Sequence, residues 1–173
     1  GLDSYTEIFA DSRKWLRNGW LDYIAPQLYW RIDAPMQSYV ELLNWWVEQN
    51  QHNRHVLAGN APYRVNQDAW PFSEIVEQIR LTRMQHGAIG NLHFSMRTFL
   101  YTPALTETLT EEAYPFAALV PESRWLDTIP PPEPIISIQD SVSQEVKLQP
   151  APGEPVFWWA VRIRYGDEWV SDV

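Results

Sequence analysis

The chain has 173 residues, 45% of them hydrophobic and 20% charged, which suits a folded globular protein and excludes a disordered one. Its formal net charge of −9 repels phosphate backbones and argues against a nucleic-acid partner. No cysteine is present, so disulfides and thiolate metal sites are excluded, and no apolar run is long enough to span a membrane.

In chain order, Ser4 and Glu7 have the spacing of a capping box. Tyr5, Ile8, Phe9, Trp15 and Leu16 follow at helical intervals, and Asn18-Gly19 supplies a stop, so one helix is predicted over about 5–17. The apolar, aromatic run Trp20–Trp30 reads as a buried parallel strand with Pro26 late in it, because proline has no N–H for the ladder. Tyr39, Leu42, Leu43, Trp46 and Val47 define an amphipathic helix over about 36–50. His55–Gly59 is a second strand. Phe72, Ile75, Val76 and Ile79 mark a helix over about 73–86 closed by His86-Gly87, and Ala88–Phe94 is a third strand. The strand centres fall near 24, 57 and 92, and a repeat of this length is that of strand, helix and loops in a parallel α/β fold.

The composition shifts at Ile129, where residues 130–134 form a proline-rich linker. Beyond it, 135–138, 146–148, 158–165 and 168–170 read as strands, with a turn-rich stretch over 150–155 and a hairpin turn at Gly166-Asp167. About four strands are the start of an all-β sandwich that needs seven. The chain opens on Gly1 without methionine, so an internal piece of a longer protein is expected, and its first residues leave export open.

Ten tryptophans in this length is a large number. An indole either fills a core or stacks on a ligand, and the apolar face of a pyranose ring is one such ligand. In parallel α/β barrels the site lies where strands end. That rule selects Gln27, Tyr29, Trp30 and Asp33 after the first strand, Asn60, Tyr63 and Arg64 after the second, and His93, Ser95 and Arg97 after the third. They offer amide, phenol, indole and guanidinium groups, which suit sugar hydroxyls and sugar rings. Packing roles compete for each. His93 is expected to face the core or helix layer, and Ser95 lacks the histidine and acidic partners of a nucleophile. Asp33 is the best-placed carboxylate, although Ile32-Asp33-Ala34-Pro35 also reads as a helix cap. Glycoside hydrolysis needs two facing carboxyl groups, and no such pair is visible. Neither metal-ligand spacing nor a phosphate-binding glycine loop occurs, so no metal or cofactor is expected.

The order Trp15, Gly19, Trp20, Asp22, Tyr23, Pro26, Gln27, Tyr29, Trp30 resembles a segment of the glycosyl hydrolase-like 10 family. Trp45-Trp46, then Gly59 to Arg64, then Gln78-Ile79 with Arg83, and Gly90 to Ser95 continue the resemblance in the same order over 1–129. The resemblance implies that 1–129 is the C-terminal portion of a (β/α)8 TIM-type barrel, about strands six to eight. It implies that 135–173 begins a fibronectin-III or immunoglobulin-like module. It also implies an exported envelope protein whose parent is a glycosidase acting on peptide-stripped peptidoglycan strands, this piece alone being inactive. The strand that carries the nucleophile in two-glutamate glycosidases ends here in Gly59-Asn60-Ala61, without a carboxylate, so a two-glutamate mechanism does not carry over, and either an acid acting with substrate assistance or a pair of acids from the half of the barrel outside this chain is expected. A carbohydrate-binding scaffold that kept an aromatic cleft is the alternative.

Overall fold

The computed structural model describes residues 3–130, 132–140, 145–153, 161–166 and 168–172. The backbone divides into two compact units, Gly1–Pro115 and Phe116–Val173.

The first unit opens with α1 (Ser4–Ile8) and α2 (Ser12–Arg17) where one helix is predicted. The capping box gives way to two aspartates. Asp3 accepts from the Tyr5 N–H and Asp11 from the Lys14 N–H, so each starts its own helix. Phe9, at φ 56°, closes the first in the left-handed region. Asn18 caps α2 as expected, and Gly19 at φ +65° provides the left-handed exit that other residues resist.

Then come β1 (Tyr23–Ile24), α3 (Tyr39–Glu48), β2 (His55–Asn60), α4 (Arg64–Gln67), α5 (Phe72–Met84), β3 (Ala88–His93), α6 (Met96–Tyr101) and α7 (Pro103–Glu112). The strands form one parallel sheet in the order β1-β2-β3. Strand β1 is much shorter than the run 20–30 suggests. Pro26 interrupts the ladder, which resumes as a single bridge between Gln27 and Gly59. Here the two backbones nearly touch: a Cβ on Gly59 would lie 2.6 Å from the Pro26 carbonyl oxygen.

The register pairs Ile24 with Val56 and Ala58 with Asn91, so these side chains share one face of the sheet. On that face Leu28, Val56 and Ala58 pack with Tyr39 and Leu43 of α3 in a fully buried cluster. A second core joins Ile75, Val76 and Ile79 of α5 to Leu105 and Leu109 of α7, with Val65 and Trp70 from the preceding loop and α4. Each such fully buried aliphatic side chain contributes roughly 2 kcal/mol of transfer free energy. On the opposite face Tyr23 is 57% exposed and Leu92 is 42% exposed. The helices that pack on this sheet therefore cover one of its two faces among the described residues.

In the second unit, β4 (Ile135–Asp140) and β5 (Glu145–Gln149) form one antiparallel pair, and β6 (Val161–Tyr165) and β7 (Glu168–Asp172) another. These strands match the runs predicted there. Residues 154–160 and Asp167, which complete the expected turn-rich stretch, third strand and hairpin turn, lie outside the described residues. No helix among the described residues is long and apolar enough to cross a membrane.

Candidate functional site

All three parallel strands of the first unit end on the same side, and an aromatic ring follows each end. Tyr29, Tyr63 and Phe94 meet there. The Tyr29 ring lies 6.1 Å from Tyr63, edge to face, and 6.4 Å from Phe94, near parallel, while Tyr63 and Phe94 are 6.3 Å apart. Such pairs add roughly 1 kcal/mol each beyond their buried area. Burial, with the neighbouring Tyr63, raises the pKa of the Tyr29 phenol, so it stays protonated and able to donate.

Beside this cluster lies an open cleft of about 460 Å³, lined by Tyr29, Trp30, Arg31, Asp33, Arg64 and Trp70 along with Ala34 and Pro35. The Arg64 guanidinium sits between two rings, 5.7 Å from the centres of both Tyr63 and Trp70, and pairs with Asp68. Arg31 pairs with Asp33 at 3.0 Å. Asp33 therefore faces the cleft as an ion-pair partner, and no helix-capping bond from it is seen. Helix α3 starts instead at Ser38, whose hydroxyl donates to the Ile32 carbonyl. Among the described residues Asp33 is the sole carboxylate lining the cleft.

Behind the strand ends runs a buried polar network. Asn60 has no exposed surface, and its side-chain amide donates to Gln78 Oε1 at 2.9 Å and the Tyr39 hydroxyl at 3.1 Å. Asn91 donates to Asn60 Oδ1 at 2.8 Å and to the Thr82 hydroxyl at 3.1 Å. Gln78 Nε2 donates to the Trp30 carbonyl and to Glu74, whose carboxylate also accepts from the Ile32 N–H at 2.8 Å. Glu74, Gln78 and Thr82 thus form a polar stripe along α5 that grips all three strand ends. The buried polar groups are matched to one another, as burial requires.

The expected site residues separate into three groups. Tyr29, Trp30, Tyr63 and Arg64 come together at the cleft. Gln27 is exposed at the Gly59 bridge, opposite the buried Leu28. Asn60 turns away into the helix layer, its amide fully engaged, so it holds the strand end and presents nothing to solvent. Ser95 stands at the start of α6 with its carbonyl bonded to the Thr98 N–H, and Arg97 lies over the Tyr101 ring of its own helix; neither lines the cleft. Phe94, Trp70, Glu74 and Gln78 are the members that the strand-end rule did not single out. Among the described residues no group of His, Asp and Glu could hold a metal ion.

His93 faces the helix layer, as the sequence suggests. Its Nε2 lies 3.0 Å from the Tyr114 hydroxyl, its ring meets Phe99 edge to face, and its buried Nδ1 has no hydrogen-bond partner among the described residues. Burial pushes its pKa down from 6.5 to about 4. The fold therefore excludes a proton that the unfolded chain takes up below pH 6.5. Stability is full above that value and falls by about 3 kcal/mol as the pH drops to about 4, then levels. Urea midpoints measured across this range should fall, and His93→Phe should flatten this part of the profile. An unchanged slope in the variant would refute the assignment.

Residues 3–73 match the glycosyl hydrolase-like 10 family. The chain is similar to glycosyl hydrolase YngK of Bacillus subtilis (strain 168), 34% identical over 140 residues that cover 78% of this chain and 28% of that protein. It is also similar to glycosyl hydrolase DigH of Escherichia coli (strain K12), 38% identical over 68 residues, 39% of this chain and 16% of that protein. In class the first unit is a parallel α/β unit with an aromatic cleft at its strand ends. This chain belongs to the glycosyl hydrolase-like 10 family. It spans under a third of the length of either relative.

Proposed function

We propose that the chain is part of an exported bacterial envelope glycosidase that cleaves peptide-stripped peptidoglycan strands, with the strand ends of the first unit forming one wall of the sugar cleft. The observation that carries this reading is the aromatic cluster Tyr29–Tyr63–Phe94 beside a cleft walled by Trp30, Trp70 and two arginines. Flat rings suit the apolar faces of pyranoses, while guanidinium, phenol and carboxylate groups suit their hydroxyls.

In this reading residues 1–129 are about strands six to eight of a (β/α)8 barrel. A sheet covered by helices on one face, with Leu92 and Tyr23 bare on the other, supports a barrel wall over a doubly wound sheet, which carries helices on both faces. Residues 130–134 are then a linker, and 135–173 begin a fibronectin-III or immunoglobulin-like module. The catalytic acid, acting with substrate assistance or as one of a pair, comes from elsewhere in the barrel, since among the described residues Asp33 stands without a second acid in the cleft.

The test is release of soluble glycan from peptide-stripped peptidoglycan by a full-length protein carrying this chain, beside Tyr29→Ala and Phe94→Ala. Each variant should lose at least tenfold in kcat/KM, about 1.4 kcal/mol, with circular dichroism unchanged. Binding of the glycan without any release would favour a carbohydrate-binding scaffold instead. That second reading draws on the single carboxylate of the cleft.

A further inference from the structure

Asp33, the carboxylate that lines the cleft among the described residues, is held by a line of charges that leads back into the buried layer. We propose that Asp33 reads sugar hydroxyls in the cleft and that Glu74 positions it from behind through Arg31, an inference that rests on the sugar-cleft reading above.

Arg31 takes the Asp33 carboxylate with both prongs of its fork, Nε to Oδ1 at 3.0 Å and Nη2 to Oδ2 at 3.2 Å. That grip fixes the plane of the carboxylate. It leaves each oxygen a lone pair for a further donor, and the Asp33 side chain is 70% exposed, so the group stays open to a ligand. A pair of neighbouring pyranose hydroxyls suits two oxygens held in one plane. An exposed ion pair of this kind contributes little by itself, because two long side chains must be ordered to make it. Here the arginine is ordered from the other side. Glu74 is the buried acid among the described residues, and its Oε2 lies 3.9 Å from Arg31 Nε. Its Oε1 accepts from the Ile32 N–H at 2.8 Å and from Gln78 Nε2 at 2.9 Å. Gln78 also donates to the Trp30 carbonyl at 3.1 Å. The backbone on both sides of Arg31 is therefore pinned to α5, and its guanidinium lies between a buried acid and an exposed one. A buried carboxylate needs a cation close by, so Arg31 is retained there. Asp33 is then presented in one orientation before any sugar arrives, which lowers the ordering cost of binding.

Kinetics of glycan release from peptide-stripped peptidoglycan by a full-length protein carrying this chain test the relay. Asp33→Asn should raise KM about tenfold with kcat within about twofold, as loss of binding shared by ground and transition states does. Glu74→Gln keeps an oxygen for the Ile32 N–H and removes the charge behind Arg31. It should raise KM about fivefold with kcat again little changed, whereas a purely structural role would lower the active fraction, and so kcat, at constant KM. Glu77→Gln, on the exposed side of the same helix, should change neither. The double variant Asp33→Asn with Glu74→Gln should be no worse than Asp33→Asn alone, since Glu74 acts through Asp33. If Glu74→Gln does not fold, Arg31→Lys takes its place in the cycle, because a point charge cannot grip both oxygens. Single effects that multiply in the double variant, or an unchanged KM in either single variant, would overturn the relay. Loss of kcat/KM in Tyr29→Ala would then leave the sugar cleft standing, while full kcat/KM in Tyr29→Ala as well would overturn both.

Discussion

Replacing Gly59 with alanine should destabilise the chain by roughly 3 kcal/mol, at the upper end of what overpacking costs. The new methyl would stand 2.6 Å from the Pro26 carbonyl oxygen and 3.3 Å from the Gln27 Cα, both backbone atoms that cannot swing aside. Relief requires the two strands to part. That breaks the bonds from the Gly59 N–H to Pro26 and from the Leu28 N–H to Gly59, each 2.9 Å long. Gln27, Tyr29 and Trp30 hang from this joint, so sugar binding should fall with stability. Gly90→Ala is the control. Its methyl would meet the Leu57 Cδ2 at 3.2 Å, the far end of a side chain that can turn, and it should cost under about 1 kcal/mol. Urea midpoints of the two variants decide the matter: similar losses would mean that the close approach at Pro26 is not a constraint.

Gln78→Ala should cost about as much, roughly 3 kcal/mol, by a different mechanism. Gln78 is fully buried and serves three partners at once. Its removal strips Asn60 of an acceptor, the Trp30 carbonyl of a donor, and the Glu74 carboxylate of one of its two hydrogen bonds. Gln78→Glu tests the electrostatic side of the same contact. It would set a second carboxyl where the amide now lies 2.9 Å from Glu74. Two carboxylates so close cannot both ionise, so one pKa is raised in the fold. The variant should therefore lose stability as the pH rises from about 4 toward neutrality, relative to the unmodified chain. A parallel pH profile for the two proteins would sink the network as drawn.

The regular elements were legible where packing follows a simple period. Tyr39 to Val47 and Phe72 to Ile79 show the helical stripe, and β2 and β3 stand within a residue of their expected bounds. Short-range competition was harder to see. Asp3 and Asp11 outbid Ser4 as caps, and a single mainchain reversal at Phe9 split the first helix. Helix α7 went unread even though Leu105, Leu109 and Ala113 recur at four-residue spacing and pack against α5. Pro103 ahead of them occupies the first helical turn, where proline is tolerated.

At the site, proximity to a strand end was legible and direction was not. Alternation assigns Val56, Ala58 and Asn60 to one face, and two of the three are small apolar residues suited to a helix interface. That parity sends Asn60 away from the cleft, but it can be applied only once the covered face is known. Phe94 stands in the sequence as the last residue of a strand and within the Gly90 to Ser95 resemblance, with no sign that its ring turns to the cleft. The polar stripe Glu74, Gln78, Thr82 was visible as a four-residue spacing, yet on the sequence alone it is indistinguishable from a solvated face.

The bond between Asn60 and Asn91 has a consequence for how the strands find their alignment. The sheet interior is built of small residues, Ala58, Gly59 and Gly90, which interlock poorly and would tolerate sliding. A slip of two residues would keep every side chain on its own face, so hydrophobic matching alone would scarcely oppose it. It would, however, carry Asn91 about 6.6 Å along the strand, out of reach of Tyr39, Asn60 and Thr82. Three buried groups would lose partners at once. The amide pair thus works as a vernier, selecting one alignment from several that oil alone would leave nearly equal.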